Sequence, residues 1–126
     1  MRELSVTFSR EQITAYAAAS GDHNPIHLDD EAAHAAGLPG VIAHGMLQMG
    51  LLARVAGDPR RLRRLSCRFA AAVRPGDTVV FRAEERDGLV DLSAVNQHHQ
   101  PVLSRASAEL APLPDETAEA RQAGNK

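Results

Sequence analysis

Apolar positions recur along this chain with two different periods, helical in the first half and alternating in the second. Leu4-Ser5-Val6-Thr7-Phe8 alternates and predicts a strand. Ser9 and Gln12 then form a capping-box pair ahead of a helix running through Ala19. Asp29-Asp30-Glu31 places acids at the start of a second, short helix closed by Gly37, and Leu38-Pro39-Gly40 turns the chain into Val41-Ile42-Ala43. Residues 45 to 56 are apolar on nearly every side except at Gln48 and Arg54, which predicts a buried helix. At roughly 1.5 Å per residue it runs about 18 Å, enough to lie along the concave face of one twisted sheet.

Beyond that helix, Leu65, Cys67, Phe69, Ala71 and Val73 alternate against Ser66, Arg68 and Ala70 until Arg74-Pro75-Gly76-Asp77 makes a turn. Thr78 to Arg86 and Leu89 to Asn96 flank Asp87-Gly88, a strong two-residue hairpin signal. After Gln97-His98-His99-Gln100-Pro101 the chain resumes as a strand from Val102 to Leu110. The order is strand, helix, loop, short helix, long buried helix, then about four antiparallel strands in a meander. It predicts an α+β domain over residues 1–111 with a helix wrapped by a curved antiparallel sheet. From Pro112 to Lys126 periodicity is lost, and a disordered tail is expected.

Composition narrows the function classes. The 126 residues, with 44% hydrophobic content and a formal charge of -2, suit one domain. No apolar run is long enough to span a bilayer, and Met1-Arg2-Glu3 lacks the pattern of a secretory signal, so a cytoplasmic location is expected. Cys67 stands alone, which excludes a disulfide framework or a cysteine metal site and points to a small buried hydrophobe. Net negative charge and 3% aromatic content leave no stacking platform for nucleic acid. Arg60-Arg61-Leu62-Arg63-Arg64, with Arg68 just beyond, concentrates positive charge at the exit of the long helix. Arg63 and Arg64 are candidate phosphate contacts, since arginine forks match phosphate oxygens; a solvated basic turn is the other reading.

The candidate chemistry lies in Ser20-Gly21-Asp22-His23-Asn24-Pro25-Ile26-His27, where a carboxylate and an imidazole stand five positions apart on a segment that glycine and proline keep from regular helix. Pro25 restricts Asn24 to extended geometry, so the loop is stiff and both side chains can be aimed at one point. Gly-Asp and Asn-Pro are also ordinary turn formers, and a plain turn is the competing reading. Adding water across a conjugated double bond needs one group to hold and deprotonate water and another to deliver a proton, and Asp22 and His27 meet both needs, best when burial tunes them. Seventeen residues after His27, His44-Gly45-Met46 opens the long helix. The free N–H of Gly45 at its first turn, beside the positive end of the helix dipole, suits half of an oxyanion site. His44 is expected to cap the helix or to make a buried hydrogen bond. The acids and histidine at Asp29, Asp30, Glu31 and His34 lack a closed metal-ligand constellation, and His98 and His99 read as a solvated turn tip.

The Gly-Asp-x-Asn-Pro-Ile-His run followed by His44-Gly45-Met46 resembles the MaoC-like (R)-specific enoyl hydratases of the hot-dog fold, over residues 2 to about 111. The resemblance implies a single hot-dog domain, and two subunits, identical or not, that pair to extend the sheet with an acyl tunnel near their interface. It implies reversible hydration of a trans-2-enoyl thioester of coenzyme A or acyl carrier protein to the (R)-3-hydroxyacyl thioester. Asp22 and His27 would hold the water, Gly45 would donate to the thioester oxygen, and Asn24 would shape the loop. Neither metal nor redox cofactor is implied. Where some relatives carry a serine on the long helix, this chain has Ala53. A hot-dog thioesterase and a non-catalytic partner subunit are the alternatives.

Overall fold

A computed structural model describes residues 1–112, and the tail expected beyond Pro112 lies outside the described residues. The elements are β1 (Arg2–Thr7), α1 (Arg10–Ser20), a 3-10 turn (Pro25–His27), α2 (Asp30–Ala35), α3 (Gly45–Ala56), β2 (Leu62–Phe69), β3 (Thr78–Arg86), β4 (Leu89–Val95) and β5 (Pro101–Leu110). The capping box forms as expected: Ser9 Oγ accepts from Gln12 N, and the Gln12 side chain accepts from Ser9 N. Asp87 and Gly88 take positive φ, at 52° and 85°, as the tight hairpin between β3 and β4 requires.

All strand pairs are antiparallel, in the order β1-β3-β4-β5-β2. This corrects the expected four-strand meander. Only β3, β4 and β5 follow one another as neighbours, because β1 already occupies the free side of β3, with Thr7 opposite Thr78. β2 therefore closes the far edge against β5. β2 also ends at Phe69 rather than continuing through Val73. Residues 70–73 leave the ladder, and the Val73 carbonyl accepts from Ala43 N at 2.8 Å, tying this segment to the approach of α3.

The sheet packs its apolar face on α3. Val79, Phe81 and Ala83 of β3 are 0%, 0% and 2% exposed while the alternating Arg82 and Glu84 face solvent, so the strand alternation fixes which face is core. Leu52, Val55 and Ala56 of α3 meet them, with Val90 and Ala94 of β4 and Val102 and Ala108 of β5. Burying a side chain like Phe81 contributes about 2–3 kcal/mol. Arg2 binds α3 from the first strand: its guanidinium donates to the carbonyls of Val55, at 2.9 Å, and Ala56, two acceptors that a helix end leaves open.

α3 is not buried all round. Gln48, one of its two polar residues, is 4% exposed, whereas Met46 is 64% exposed, and Gly50 and Arg54 also face outward. The sheet covers only one face of this helix. Cys67 is half-buried and free, and burial raises its thiol pKa, which keeps it unreactive. No helix among the described residues is long and apolar enough to cross a membrane.

Candidate active site

The loop after α1 is built by short side-chain turns. Gly21, at φ 79°, ends the helix in the left-handed conformation that glycine adopts without strain. Ser20 Oγ then accepts from Asp22 N at 3.1 Å, Asp22 Oδ1 from Asn24 N at 3.2 Å, and Asn24 Oδ1 from Ile26 N at 3.3 Å. Each polar side chain bonds the backbone two residues on, a pattern that replaces helix with a stepped, rigid turn. Pro25 follows as the first residue of the 3-10 turn, and His27 ends it.

Two strands of backbone lock this loop to the approach of α3. Ile42 N donates to Ile26 O at 3.2 Å, and His27 Nδ1 lies 2.8 Å from Ile42 O. A carbonyl only accepts, so His27 Nδ1 carries a hydrogen and donates it there, which leaves Nε2 as the ring nitrogen available to the site. His44 acts on the other side: its Nε2–H donates to the backbone carbonyl of Asp22 at 3.1 Å. His44 makes no side-chain cap on α3, so of its two expected roles the buried hydrogen bond is the one observed. Its ring stacks on that of His27, with centroids 3.8 Å apart and planes inclined at 22°, and Tyr16 packs against it edge-on at 4.8 Å. His27 and His44 are 7% and 1% exposed, but Asp22 is on the surface of the single chain.

Asp22, His27 and His44 offer nitrogen and oxygen atoms within 4.8 Å of one another. That set answers poorly to a metal ion. Ring-nitrogen lone pairs lie in the ring planes, so two nearly parallel stacked imidazoles point them side by side instead of at one centre. Each ring also commits one nitrogen to a carbonyl. The arrangement suits a water molecule gripped by the Asp22 carboxylate and His27 Nε2.

A cavity of about 440 Å³ opens beside His27, lined by Ile42, Ala43, Gly45, Gln48, Phe69 and the alanines 70–72. Gly45 is the first residue of α3, so its N–H has no intrahelical acceptor. A Cβ there would come within 2.8–2.9 Å of the Phe69 ring, so a larger residue requires that ring to shift. The loop thus brings Asp22 and His27 together, and α3 brings Gly45 to the cavity that His27 lines; Asp22 is not among its lining residues. Asn24 turns its oxygen to its own loop. Ala53, two turns beyond Gly45, does not line the cavity.

Arg63 and Arg64 are not brought to the cavity. They begin β2, and Phe69 ends it five to six residues away, which is about 17–20 Å along an extended strand. Much of the basic cluster is paired: Arg60 with Asp58 at 2.7 Å, Arg61 with Glu85 at 3.0 Å, Arg64 with Glu109 at 3.8 Å. The Arg60 guanidinium holds the Asp58 carboxyl down to about 2. Sequence reasoning missed Phe69, Tyr16 and Gln48 as parts of the site. For Gln48 a signal existed, a lone amide three residues after Gly45 on an otherwise apolar helical stretch.

Residues 1–106 match the family described as MaoC like domain. The chain is 35% identical over 113 residues to the probable enoyl-CoA hydratase 2 of Dictyostelium discoideum, covering 83% of this chain and 38% of that protein. It is 42% identical over 86 residues to 3-hydroxyacyl-thioester dehydratase X of Mycobacterium tuberculosis, covering 68% of this chain and 31% of that one. The solved (R)-hydratase from A. caviae involved in PHA biosynthesis superposes with a TM-score of 0.72 at 26% identity, covering 86% of this chain and 91% of that one. This chain spans less than two fifths of the two curated relatives named, and 6% of a Monascus ruber fatty acid synthase beta subunit at 34% identity. The Gly-Asp-x-Asn-Pro-Ile-His loop, the His-Gly-Met helix start and the five-stranded sheet around α3 all agree with the match, and the chain belongs to the MaoC-like domain family.

Proposed function

We propose that this chain hydrates trans-2-enoyl thioesters reversibly to (R)-3-hydroxyacyl thioesters. The observation that supports this most is the His27 tautomer. With Nδ1–H donated to Ile42 O, Nε2 is the His27 nitrogen left to bind a water, and a His27 ring nitrogen lies within 4.8 Å of an Asp22 carboxylate oxygen, so one water can bridge the two. Asp22 takes a proton from that water as its oxygen bonds C3. The C2=C3 electron pair moves toward C1, and charge collects on the thioester oxygen beside the Gly45 N–H. The held proton then passes to C2 and the carbonyl reforms. A thioesterase would need the same water directed at C1, and nothing in the loop favours that carbon over C3.

The single chain leaves Asp22 exposed and leaves Met46 and Phe69, at 64% and 56%, uncovered beside the cavity. The reading therefore includes a second hot-dog subunit, identical or not, that covers this side and shields the water. Arg63 and Arg64 would then meet the phosphate-bearing end of a long carrier arm, coenzyme A or acyl carrier protein, and not the acyl group. The test is hydration of crotonyl-CoA by the purified chain, followed by loss of the enoyl absorbance, with chiral analysis of the product. Formation of (R)-3-hydroxybutyryl-CoA is expected. Release of free thiol without hydration would favour the thioesterase reading, and no turnover without an added partner would favour the partner-dependent subunit.

A further inference from the structure

We propose, building on the hydratase reading, that Gln48 is a catalytic residue: its side-chain amide supplies the second donor to the thioester oxygen, completing with the Gly45 N–H a two-donor oxyanion site. Gln48 is 4% exposed and lines the cavity with His27 and Gly45. Its Oε1 is fully buried and has no hydrogen-bond partner among the described residues; that oxygen only accepts, so the donor to an oxyanion would be the Nε2–H₂ group at the other end of the same amide. A buried amide is ordinarily paired, because leaving it dry and unpaired costs about 1–3 kcal/mol. Here the protein keeps such a group in the wall of the cavity, where apolar residues of the same size would pack at no such cost.

Helix geometry says where that amide reaches. Gln48 stands three residues after Gly45, on the same face of α3 and about 5–6 Å from it. Side chains on a helix lean toward its N-terminus, over the residues three and four before them. The Gln48 amide therefore leans back over Gly45, toward the point where the Gly45 N–H is aimed. When the water oxygen bonds C3 and the electron pair of C2=C3 shifts to form the enolate, the negative charge comes to rest on that oxygen. A second N–H there acts most strongly as charge develops, so it is expected to affect kcat more than KM.

The experiment measures kcat and KM for crotonyl-CoA and for a longer trans-2-enoyl-CoA with wild type, Gln48→Met and Gln48→Glu. Methionine keeps the length and removes both polar ends; glutamate keeps the shape and, when ionised, removes the donor. Gln48→Met, and Gln48→Glu at a pH where it is ionised, are expected to lose about 100-fold or more in kcat on both substrates with KM within threefold, one lost oxyanion donor being worth about that much. Gln48→Met is expected to melt no lower than wild type, since it removes an unpaired buried oxygen. Wild-type turnover with kcat retained within threefold in the folded Gln48→Met variant would overturn the assignment while leaving the hydratase reading intact. A gain confined to the longer substrate would overturn it too, marking Gln48 as the end of the acyl pocket. If wild type turns over neither substrate, alone or with a second hot-dog subunit added, the hydratase reading and this inference fall together.

Discussion

Asp22→Asn is the sharpest single change available. The asparagine oxygen can still accept from Asn24 N, so the turn should persist, but an amide cannot take a proton from water. Hydration is expected to fall about a hundredfold or more with an unaltered melting curve, and retention of more than a third of the wild-type rate would remove Asp22 as the base. For Gly45 the pair Gly45→Ala and Gly45→Pro separates two effects. Both add a Cβ against the Phe69 ring, which is exposed enough to swing aside, and only proline removes the N–H. His44, at φ -61° and ψ 138°, already has the extended backbone that a following proline requires. Proline is expected to cost about a further tenfold or more in kcat beyond alanine; equal losses would make the glycine a matter of packing alone. The loop residues were legible in the sequence because Ser20, Asp22 and Asn24 bond the backbone two positions on, and Gly21 and Pro25 act within four residues of themselves. Gln48 left only an ambiguous signal, since a glutamine on an apolar stretch reads equally as a solvated face until the sheet shows which side is covered.

At the level of elements, strand alternation and caps foretold α1, α3 and the β3–β4 hairpin, because each depends on contacts close in sequence. The pairing of β2 with β5 was not foretold. It depends on β1 taking the edge of β3, a contact some seventy residues apart that leaves no local mark. One long-range tie has a pH signature. Asp30 accepts from Val41 N at 2.9 Å and from Arg10 at 2.9 Å, joining α2 to α1 and to the segment that carries Ile42. The Val41 N–H, and then Arg10, hold its carboxyl below the ordinary 3.8. A lowered folded-state pKa means stability that is complete above the ordinary value and lost as pH falls through the folded one. Wild type is therefore expected to melt higher than Asp30→Asn at neutral pH, with the two melting curves converging as pH falls below the ordinary 3.8. Parallel curves down to pH 2.5 would show that the tie adds nothing to stability.

For the whole molecule, the apolar pattern of α3 foretold a helix fully enclosed, yet the sheet encloses one face and leaves Met46, with Phe69 beside it, open. Residues that cover a partner and residues that fill a core are both apolar, so pattern alone does not separate them. If a second hot-dog subunit covers this side, Met46→Glu is expected to lower the sedimentation mass of the purified chain and to weaken hydration without unfolding it; an unchanged mass would place any partner elsewhere. The account turns on one shared water, and the most direct measurement is a double-mutant cycle on hydration of crotonyl-CoA using wild type, Asp22→Asn, His27→Ala and the double variant. Two groups that grip one water fail together, so each single change is expected to cost about a hundredfold or more and the double scarcely more than either alone. Losses that multiply in the double variant would assign Asp22 and His27 to separate steps and contradict the shared water.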